Sequence, residues 1–317
     1  MRAATIRDSK IVIAEHPDPR PGAGQVLVRV RAAGLNGADR MQVQGLYPPP
    51  PGSGVPADIP GLELAGEVVE TGPDASRFSR GDRVMAIVAG GGQAELAVVH
   101  ERQLMPVPDG LGWPQAGGLP EVFMTAYDAI FGQAGLQPGE RLLVHGAAGG
   151  VGTAAVQLGA AIGARVTATV RNPDSRDAVR ELGADDVIAP EGFGEHGPFD
   201  VILELVGGPN LAENVGSLAT GGRITVIGVG AGNSGQLDLH QLMVRRGRIS
   251  ASTLRARPLE EKSTLARDIE KHVLPLVTAG RVRVPVAAEF GLDDAAAAYD
   301  LFSAGGKCGK VVLTVAG

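Results

Sequence analysis

Residues 144–152 read VHGAAGGVG, in which the end of an apolar run is followed by closely spaced glycines and alanines. The preceding RLLV (141–144) is typical of a buried strand, and the following TAAVQLGAAIG (153–163) repeats apolar residues at helical spacing. Glycine loses more conformational freedom on folding than any other residue, so this density indicates a sharp turn and a close backbone approach. The stretch therefore predicts a strand that turns directly into a helix.

The beginning of such a helix is suited to binding phosphate, because free N–H groups and the positive end of the helix dipole meet there. AAGGVG places Gly149 and Gly152 at the second and third glycines of G-x-G-x-x-G, with Ala147 at the first. The pattern follows a strand and opens a helix, as a dinucleotide site requires. We predict cofactor contacts from Ala148, Gly149, Gly150, Val151 and Gly152. The alternative is a close-packed turn without a ligand.

The next strand bears on the choice of dinucleotide, because its end lies near the adenosine ribose about 20 residues beyond the glycines. An NAD site usually has Asp or Glu there, whereas ATVRNP (168–173) has Val170 followed by Arg171. Arginine can bind a 2′-phosphate through two hydrogen bonds. We therefore predict NADPH, held by Arg171, Asn172 and Arg176. A solvated loop charge is the alternative interpretation of Arg171.

Composition limits the class of protein. The 317 residues suit two domains, and 44% hydrophobic residues with 47 glycines are typical of an α/β protein rich in turns. No apolar run reaches the roughly 18 residues of a membrane helix, and the N-terminus lacks the apolar core of a signal peptide, so we expect a cytoplasmic protein. The single cysteine excludes an intramolecular disulfide. A net charge of -6 disfavours nucleic-acid binding.

The pattern of predicted strands and helices changes twice along the chain. Residues up to about 115 read mainly as β-strands and turns, with the stiff loop YPPPPGSGVPADIPG (47–61) between two of them. Strands then alternate with helices, among them helices over 152–163 and 174–182 and a sixth strand near 248–254, which favours a doubly wound parallel sheet. A helix opened by Pro258 follows, and the chain finally returns to β-structure. We predict an α/β protein with a β-rich catalytic domain (1–118 and 257–317) and an inserted dinucleotide-binding domain (119–256).

Several other chemistries lack their motifs. The tyrosines give no Tyr-x-x-x-Lys pair, and neither a G-x-S-x-G elbow nor a GxxxxGK[ST] loop is present. The six histidines show no H-x-x-x-H spacing, so a zinc site has little support. His145 ends the strand before the glycines, and we expect a structural role for it.

Six segments together resemble the medium-chain dehydrogenase/reductase superfamily, in its zinc-free, zeta-crystallin-like quinone oxidoreductase branch. They are LNGADRMQVQGLYPPPPG (35–52), PGLELAGEV (60–68), VFMTAYDAI (122–130), HGAAGGVG (145–152), ELGADDVI (181–188) and GKVVL (309–313). Within that branch the resemblance is closest to the group of the tumour-suppressor-induced quinone oxidoreductases. It implies a GroES-like catalytic domain and an inserted Rossmann domain.

The resemblance also bears on metal binding. Zinc alcohol dehydrogenases of this superfamily carry a catalytic cysteine where this chain has Asn36, and a Gly-His-Glu where it has Gly61-Leu62-Glu63. Their four-cysteine structural lobe is absent as well. We therefore expect no metal. Without a Lewis acid to hold an alkoxide, alcohol oxidation is difficult, whereas a quinone or conjugated enone accepts hydride unaided.

The same resemblance implies roles for individual residues. Thr125 would lie against the nicotinamide, while Asn36 and Tyr47 would line the acceptor pocket. Asn36 could donate to the acceptor oxygen or cap the turn of GLNGAD, and Asp39 more plausibly orders the helix start than transfers a proton. Near the nicotinamide half the resemblance adds Val206, Gly228 and Val229. The lysine and tyrosine that help hold the 2′-phosphate in bacterial quinone oxidoreductases are replaced here by Ser175 and Pro190.

The sequence thus predicts NADPH-dependent, zinc-independent reduction of quinones by direct hydride transfer, with the substrate held between the domains. A double-bond reductase of α,β-unsaturated carbonyls and a catalytically weak NADPH-binding sensor remain as alternatives. We expect a small-molecule substrate, no nucleic-acid or membrane partner, and a homodimer that pairs through the edge strands of the nucleotide domain, as is common in the family.

Overall fold

The computed structural model describes residues 1–316 and divides the chain into two compact units. Unit 1 comprises residues 1–124, 254–305 and 310–316, and unit 2 comprises 125–253 and 306–309. The sequence predicted boundaries at 118/119 and 256/257. The catalytic and NADPH-binding assignments of the two parts stay predictions.

Fifteen strands and ten α-helices are formed within residues 1–316. In the first part of the chain they are β1 (Arg2–Arg7), β2 (Lys10–Glu15), β3 (Gln25–Gly34), α1 (Gly37–Val43), β4 (Glu63–Thr71), β5 (Arg83–Ile87), β6 (Leu96–His100), β7 (Met105–Pro106), α2 (Trp113–Gly117) and α3 (Pro120–Tyr127). In the middle they are β8 (Arg141–Val144), α4 (Gly150–Ala161), β9 (Arg165–Thr169), α5 (Arg176–Glu181), β10 (Asp186–Ile188), β11 (Phe199–Glu204), α6 (Leu211–Gly216), β12 (Leu218–Val226), α7 (Leu239–Arg245) and β13 (Arg248–Ala251). The last are α8 (Leu259–His272), α9 (Leu274–Thr278), β14 (Val286–Gly291), α10 (Ala295–Ala304) and β15 (Lys310–Thr314).

Unit 1 is built around a mixed sheet of order β14-β15-β3-β4-β5-β7, in which β6 also pairs with β3. The hairpin β1–β2 forms a separate antiparallel sheet. Alternating residues of β3, such as Val26, Val28 and Val30, are fully buried in a core that β4, β5, β15 and α10 complete. The alternation follows from the two-residue period of a strand, which sends every second side chain inward.

Unit 2 contains a parallel sheet of order β10-β9-β8-β11-β12-β13, so the predicted sixth strand near 248–254 is formed by β13. The three central strands are almost completely buried, as expected for strands covered on both faces. The core includes Leu143, Phe193, Phe199, Ile202 and Ile224. The α/β fold class predicted from the alternation of strands and helices is thus confirmed.

Helix α7 was not foreseen. It carries exposed Leu239, Met243 and Val244, so it lacks the apolar periodicity of a core helix. The predicted helix over 174–182 is split into a 3₁₀ turn, Pro173–Ser175, and α5. Within residues 1–316, every helix is too short or too polar to cross a bilayer.

Candidate functional site

The predicted strand-to-helix turn is present and short. Strand β8 ends at Val144, Gly146 has a φ of +60°, and Gly149 precedes the first residue of α4. The Ala147 N–H donates to the Thr169 carbonyl of the neighbouring strand at 3.1 Å, which holds the turn against the sheet. We call residues 146–152 the cradle. The helix begins two residues earlier than the predicted 152.

Two glycines of the cradle have different surroundings. A Cβ atom added at Gly152 would lie 2.6 Å from Gly146 O and 2.6 Å from Ala147 Cα, so no side chain fits between helix and turn. At Gly149 the nearest atom would be Gly146 O at 3.4 Å, which leaves the outer side of the turn open. The first N–H groups of a helix have no partner within it. The cradle therefore fits a bound pyrophosphate: one glycine permits close packing and the other leaves backbone accessible.

The residues that follow β9 differ in how available their side chains are to a 2′-phosphate. Arg171 is exposed, directly after the buried Val170, and Arg176 bonds back through Nε to the Val170 carbonyl at 3.4 Å. The Asn172 side chain is occupied, since Oδ1 accepts from Asp174 N at 3.2 Å and Nδ2 donates to Gly306 O at 2.9 Å. Arg171 is thus the arginine most available to a phosphate.

A buried carboxylate that the sequence did not single out orders the loop after β11. Glu204 Oε1 accepts from the N–H groups of Val206 at 2.6 Å and Gly207 at 2.8 Å, and Oε2 accepts from Asn214 at 2.8 Å. His145 bonds through Nε2 to Asn214 Oδ1 at 2.8 Å, and burial lowers the pKa of its imidazole. The predicted structural role of His145 is confirmed, and Val206 is held by its backbone.

Gly228 and Val229 follow β12, as expected. A Cβ atom at Gly228 would lie 2.4 Å from Leu205 O, so this position requires glycine for packing against the preceding loop. Val229 is 43% exposed. An apolar side chain that remains this accessible is available to a ligand of unit 2. The role of Gly228 and Val229 in cofactor binding stays a prediction.

In unit 1 a lysine that the sequence did not single out lies at the centre of a buried polar group. Lys310 Nζ is 2.6 Å from Glu63 Oε1 and donates to Asn36 Oδ1 at 2.6 Å and to Leu35 O at 2.8 Å. Asn36 Nδ2 donates to Glu63 Oε1 at 2.9 Å and, more weakly, to Gly34 O at 3.4 Å. The Asn36 amide therefore has no spare donor in this arrangement. Its predicted donation to an acceptor oxygen stays a prediction that requires one of these bonds to break.

Asp39 belongs to the same group but serves the backbone. Its Oδ2 accepts from Asn36 N at 2.8 Å and its Oδ1 from Gly61 N at 3.1 Å, so it orders the start of α1 as predicted. Burial raises the pKa of its carboxyl to about 6, although both backbone bonds oppose that rise. We call Asn36, Asp39, Glu63, Glu121 and Lys310 the unit 1 cluster.

Glu121 completes this cluster. Its backbone N–H donates to Glu63 Oε2 at 2.8 Å, whereas its own Oε2 is buried and has no hydrogen-bond partner within residues 1–316. Burial, with the Glu63 carboxylate next, raises the pKa of this carboxyl to about 8. No sequence pattern marks this residue.

Tyr47 is half-buried and is held by an arginine that the sequence also left unmarked. Arg255 donates to Tyr47 O at 2.6 Å, to Ala89 O at 2.7 Å and to Gln42 Oε1 at 2.6 Å, and its guanidinium carbon lies 5.0 Å from the Tyr47 ring centre. Burial raises the pKa of the Tyr47 hydroxyl and lowers that of the arginine. The predicted acceptor-pocket residue Tyr47 is therefore fixed in position by both backbone and ring contacts.

Thr125 lies in α3 and is 6% exposed. Its Oγ1 is buried without a hydrogen-bond partner in the described part of the chain. A buried hydroxyl without a partner carries a desolvation cost, which a ligand amide or carbonyl would relieve. Residues 1–316 contain no group of three or more His, Cys, Asp or Glu side chains arranged to hold a metal ion.

Comparison with family models matches both parts of the chain. Residues 22–109 match the alcohol dehydrogenase GroES-like domain, and residues 150–271 match the model described as zinc-binding dehydrogenase. Together they account for the GroES-like and Rossmann-type architecture expected from the resemblance.

Whole-protein relatives fall into two kinds. The chain is 31% identical to the quinone oxidoreductase of Rattus norvegicus over 307 residues, which covers 93% of this chain and 90% of that protein. It is 35% identical over 303 residues to the spectinabilin polyketide synthase system protein NorB of Streptomyces orinoci, covering 92% of this chain but only 13% of NorB. An alcohol dehydrogenase superfamily structure from Novosphingobium aromaticivorans superposes with a TM-score of 0.86 at 29% identity, over 100% of both chains.

The likeness to the rat enzyme extends along nearly the full length of both proteins. Identity at this level over this length establishes common family membership. The chain belongs to the medium-chain dehydrogenase/reductase superfamily, in its quinone oxidoreductase branch.

Proposed function

We propose that the protein is a cytoplasmic NADPH:quinone oxidoreductase that transfers hydride directly to a quinone without zinc. The observation that carries the proposal is the Lys310 ammonium, which bonds to Asn36 and Glu63 where the zinc dehydrogenases have ligand and near-ligand residues. A fixed cation already neutralises Glu63 there. Quinones suit such a site because their own electronics spread the incoming charge.

NADPH would be held by unit 2. Backbone N–H groups of Gly150, Val151 and Gly152 would bind the pyrophosphate at the start of α4, and Arg171 with Arg176 would bind the 2′-phosphate. The reduced nicotinamide supplies the hydride. Thr125 Oγ1, which has no partner within residues 1–316, would bond to the carboxamide.

The acceptor side is assigned to unit 1. Tyr47, fixed by Arg255, would orient the quinone ring, and Asn36 would keep the Lys310 positive charge near the oxygen that gains electron density. Preorganised charge of this kind stabilises a developing oxyanion because it needs no reorganisation during the reaction.

The test compares NADPH and NADH as reductants of 1,4-benzoquinone, followed by the loss of nicotinamide absorbance. Wild type is expected to prefer NADPH, and Arg171→Ala to lose at least tenfold in NADPH affinity with little change for NADH. Arg165→Ala is the matched control, because Arg165 begins the same strand and its side chain is 61% exposed. Equal use of both coenzymes by wild type would refute the NADPH assignment, and no turnover with either would refute the function.

Similarity to NorB favours one alternative, the NADPH-dependent reduction of α,β-unsaturated carbonyls. NorB is a polyketide synthase system protein, and the double bond of an α,β-unsaturated carbonyl accepts hydride at its β-carbon. Both substrates accept hydride without a metal. Faster turnover of a 2-alkenal than of benzoquinone would favour this alternative.

We also propose that the protein forms a homodimer through unit 2. Edge strand β13, helix α7 and the residues just before α7 expose apolar side chains, namely Leu237, Leu239, Met243, Val244 and Ile249. Exposed apolar clusters of this kind mark interaction sites. Light scattering on wild type and Met243→Glu tests it: a dimer that the substitution weakens is expected, and a monomeric wild type would refute it.

A further inference from the structure

Glu121 is an acid whose Oε2 is buried and has no hydrogen-bond partner within residues 1–316. Lys310 and Arg255 are the two cations that lower the pKa of its carboxyl most, and Lys262 also acts on it. All three Lys310 protons are directed to Glu63, Asn36 and Leu35 O. Neither cation therefore has a bond to the Glu121 carboxyl among the described contacts, since Arg255 is committed to Ala89, Tyr47 and Gln42.

The charges of the unit 1 cluster do not balance if every carboxyl is ionised. Glu63, Asp39 and Glu121 provide three acids against the single ammonium of Lys310. Glu63 pairs with the Lys310 ammonium, and Asp39 accepts hydrogen bonds from two backbone N–H groups. Oε2 of Glu121 has neither kind of partner within residues 1–316. A buried carboxylate without a partner is so costly that the group keeps its proton instead.

The groups that face this carboxyl act on its pKa in both directions. Burial raises the pKa most, Glu63 and Asp39 raise it further by disfavouring a third negative charge, and Lys310 and Arg255 only partly oppose them; the net pKa is about 8. Lys262, on α8, bonds through Nζ to Arg255 O at 2.8 Å rather than to Glu121. The buried Oε2, which has no partner within residues 1–316, and the raised pKa both favour the protonated form of Glu121.

The position of this acid coincides with the acceptor side of the proposed site. Glu121 N–H donates to Glu63 Oε2 at 2.8 Å, and Asn36, which is assigned to the acceptor, donates to Glu63 Oε1 at 2.9 Å, so Glu121 and Asn36 bond to the same carboxylate. Reduction of a quinone or an enone requires a proton as well as a hydride, and a carboxyl that keeps its proton near neutral pH can supply it.

We propose that Glu121 is the proton donor of the reaction and delivers its carboxyl proton to the acceptor as the hydride arrives; this rests on the proposed function. The acceptor gains two electrons and one hydrogen from the reduced nicotinamide and one proton from the Glu121 O–H, whose bonding pair stays on the carboxylate. Water returns a proton to Glu121 after the product leaves.

The first test needs no turnover. Infrared difference spectra of wild type against Glu121→Gln at pH 7 are expected to show the C=O stretch of a protonated carboxyl that the variant lacks, and that band should disappear in wild type as the pH rises through about 8. Glu70→Gln, an exposed acid on β4, is the control and should leave the band unchanged. Absence of the band would overturn the proposal.

The second test is the pH profile of kcat/KM with NADPH and 1,4-benzoquinone. The kcat/KM of wild type should fall above pH 8. Glu121→Gln should be about 10²–10⁴-fold slower, because general acids contribute rate factors of this size, and its profile should lack the fall above pH 8. Glu121→Asp should restore part of the rate and the limb. If Glu121→Gln keeps the wild-type rate and profile, the proposal is wrong while the proposed function stands. An inactive wild type refutes the proposed function instead, and the infrared band then still decides whether Glu121 holds a proton.

Discussion

Replacing Gly152 by alanine is expected to damage the cradle by steric overlap alone. The new Cβ atom would lie 2.6 Å from Gly146 O and Ala147 Cα, and 2.8 Å from Ala147 C. These are backbone atoms of a turn that the Ala147–Thr169 hydrogen bond fixes to the sheet, so they cannot rotate away as a side chain could.

The magnitude follows from two opposing effects. Overpacking costs about 1–3 kcal/mol, and contact with fixed backbone places Gly152→Ala at the upper end. Alanine recovers about 1 kcal/mol of helix propensity over glycine. A net loss of about 2 kcal/mol remains, which corresponds to a fall in Tm of roughly 6 °C or more for a unit of this size.

Gly149→Ala is the matched comparison within the same turn. Gly149 has φ −75° and ψ 166°, which alanine adopts without strain, and its Cβ would meet only Gly146 O at 3.4 Å. We expect an unchanged or slightly higher Tm, because alanine reduces the entropy of the unfolded chain. NADPH affinity, measured by fluorescence titration, should nevertheless fall, since the methyl group occupies the phosphate approach. A wild-type Tm for Gly152→Ala, or undiminished NADPH affinity for Gly149→Ala, would refute the steric account of the cradle.

Three further outcomes can be measured by urea denaturation. Lys310→Met should cost about 3–5 kcal/mol, because it leaves the Glu63 carboxylate buried without its cation; a loss below 1 kcal/mol would contradict that pairing. Wild type should lose about 1 kcal/mol of stability between pH 7 and 8, because the raised pKa of Glu121 makes the folded state hold a proton that the unfolded state has already released. Asp39, with a pKa of about 6, acts in the same direction at lower pH. The stability of Glu121→Gln should not change between pH 7 and 8. Arg223→Lys should lose roughly 1–2 kcal/mol despite keeping the charge, since the guanidinium bonds to a carboxylate through both terminal nitrogens and to three backbone carbonyls; wild-type stability would contradict the geometric argument.

Much of unit 2 could be predicted because its signals are local. Apolar runs such as RLLV and FDVILE mark strands that are buried on both faces, and the glycines of the cradle lie within nine residues of each other. Helix α8 was also predicted from its period, and it begins after Pro258 as expected. In each case the interaction that fixes the element lies inside a window of one strand or one helix.

The unit 1 cluster could not be predicted, because its bonds join residues far apart in the chain. Lys310 and Asn36 are 274 residues apart, and Arg255 and Tyr47 are 208 residues apart. Nothing near Lys310 indicates burial, since GKVVL reads equally well as a strand that begins with a solvated lysine. Glu121 follows a proline at the start of a helix, where an acid is ordinarily a favourable end charge. Only the folded arrangement shows which charges lack a partner.

The short return of residues 306–309 to unit 2 has a practical consequence for protein engineering. Gly309 N donates to Ala148 O at 2.9 Å, and Gly306 O accepts from Asn172, so a distant piece of chain supports the cradle and the loop after β9. A fragment comprising residues 125–253 alone would lack both anchors. Chimaeras that exchange coenzyme modules between homologues should therefore transplant two segments together, and grafts that carry only the longer one are expected to bind dinucleotide less tightly.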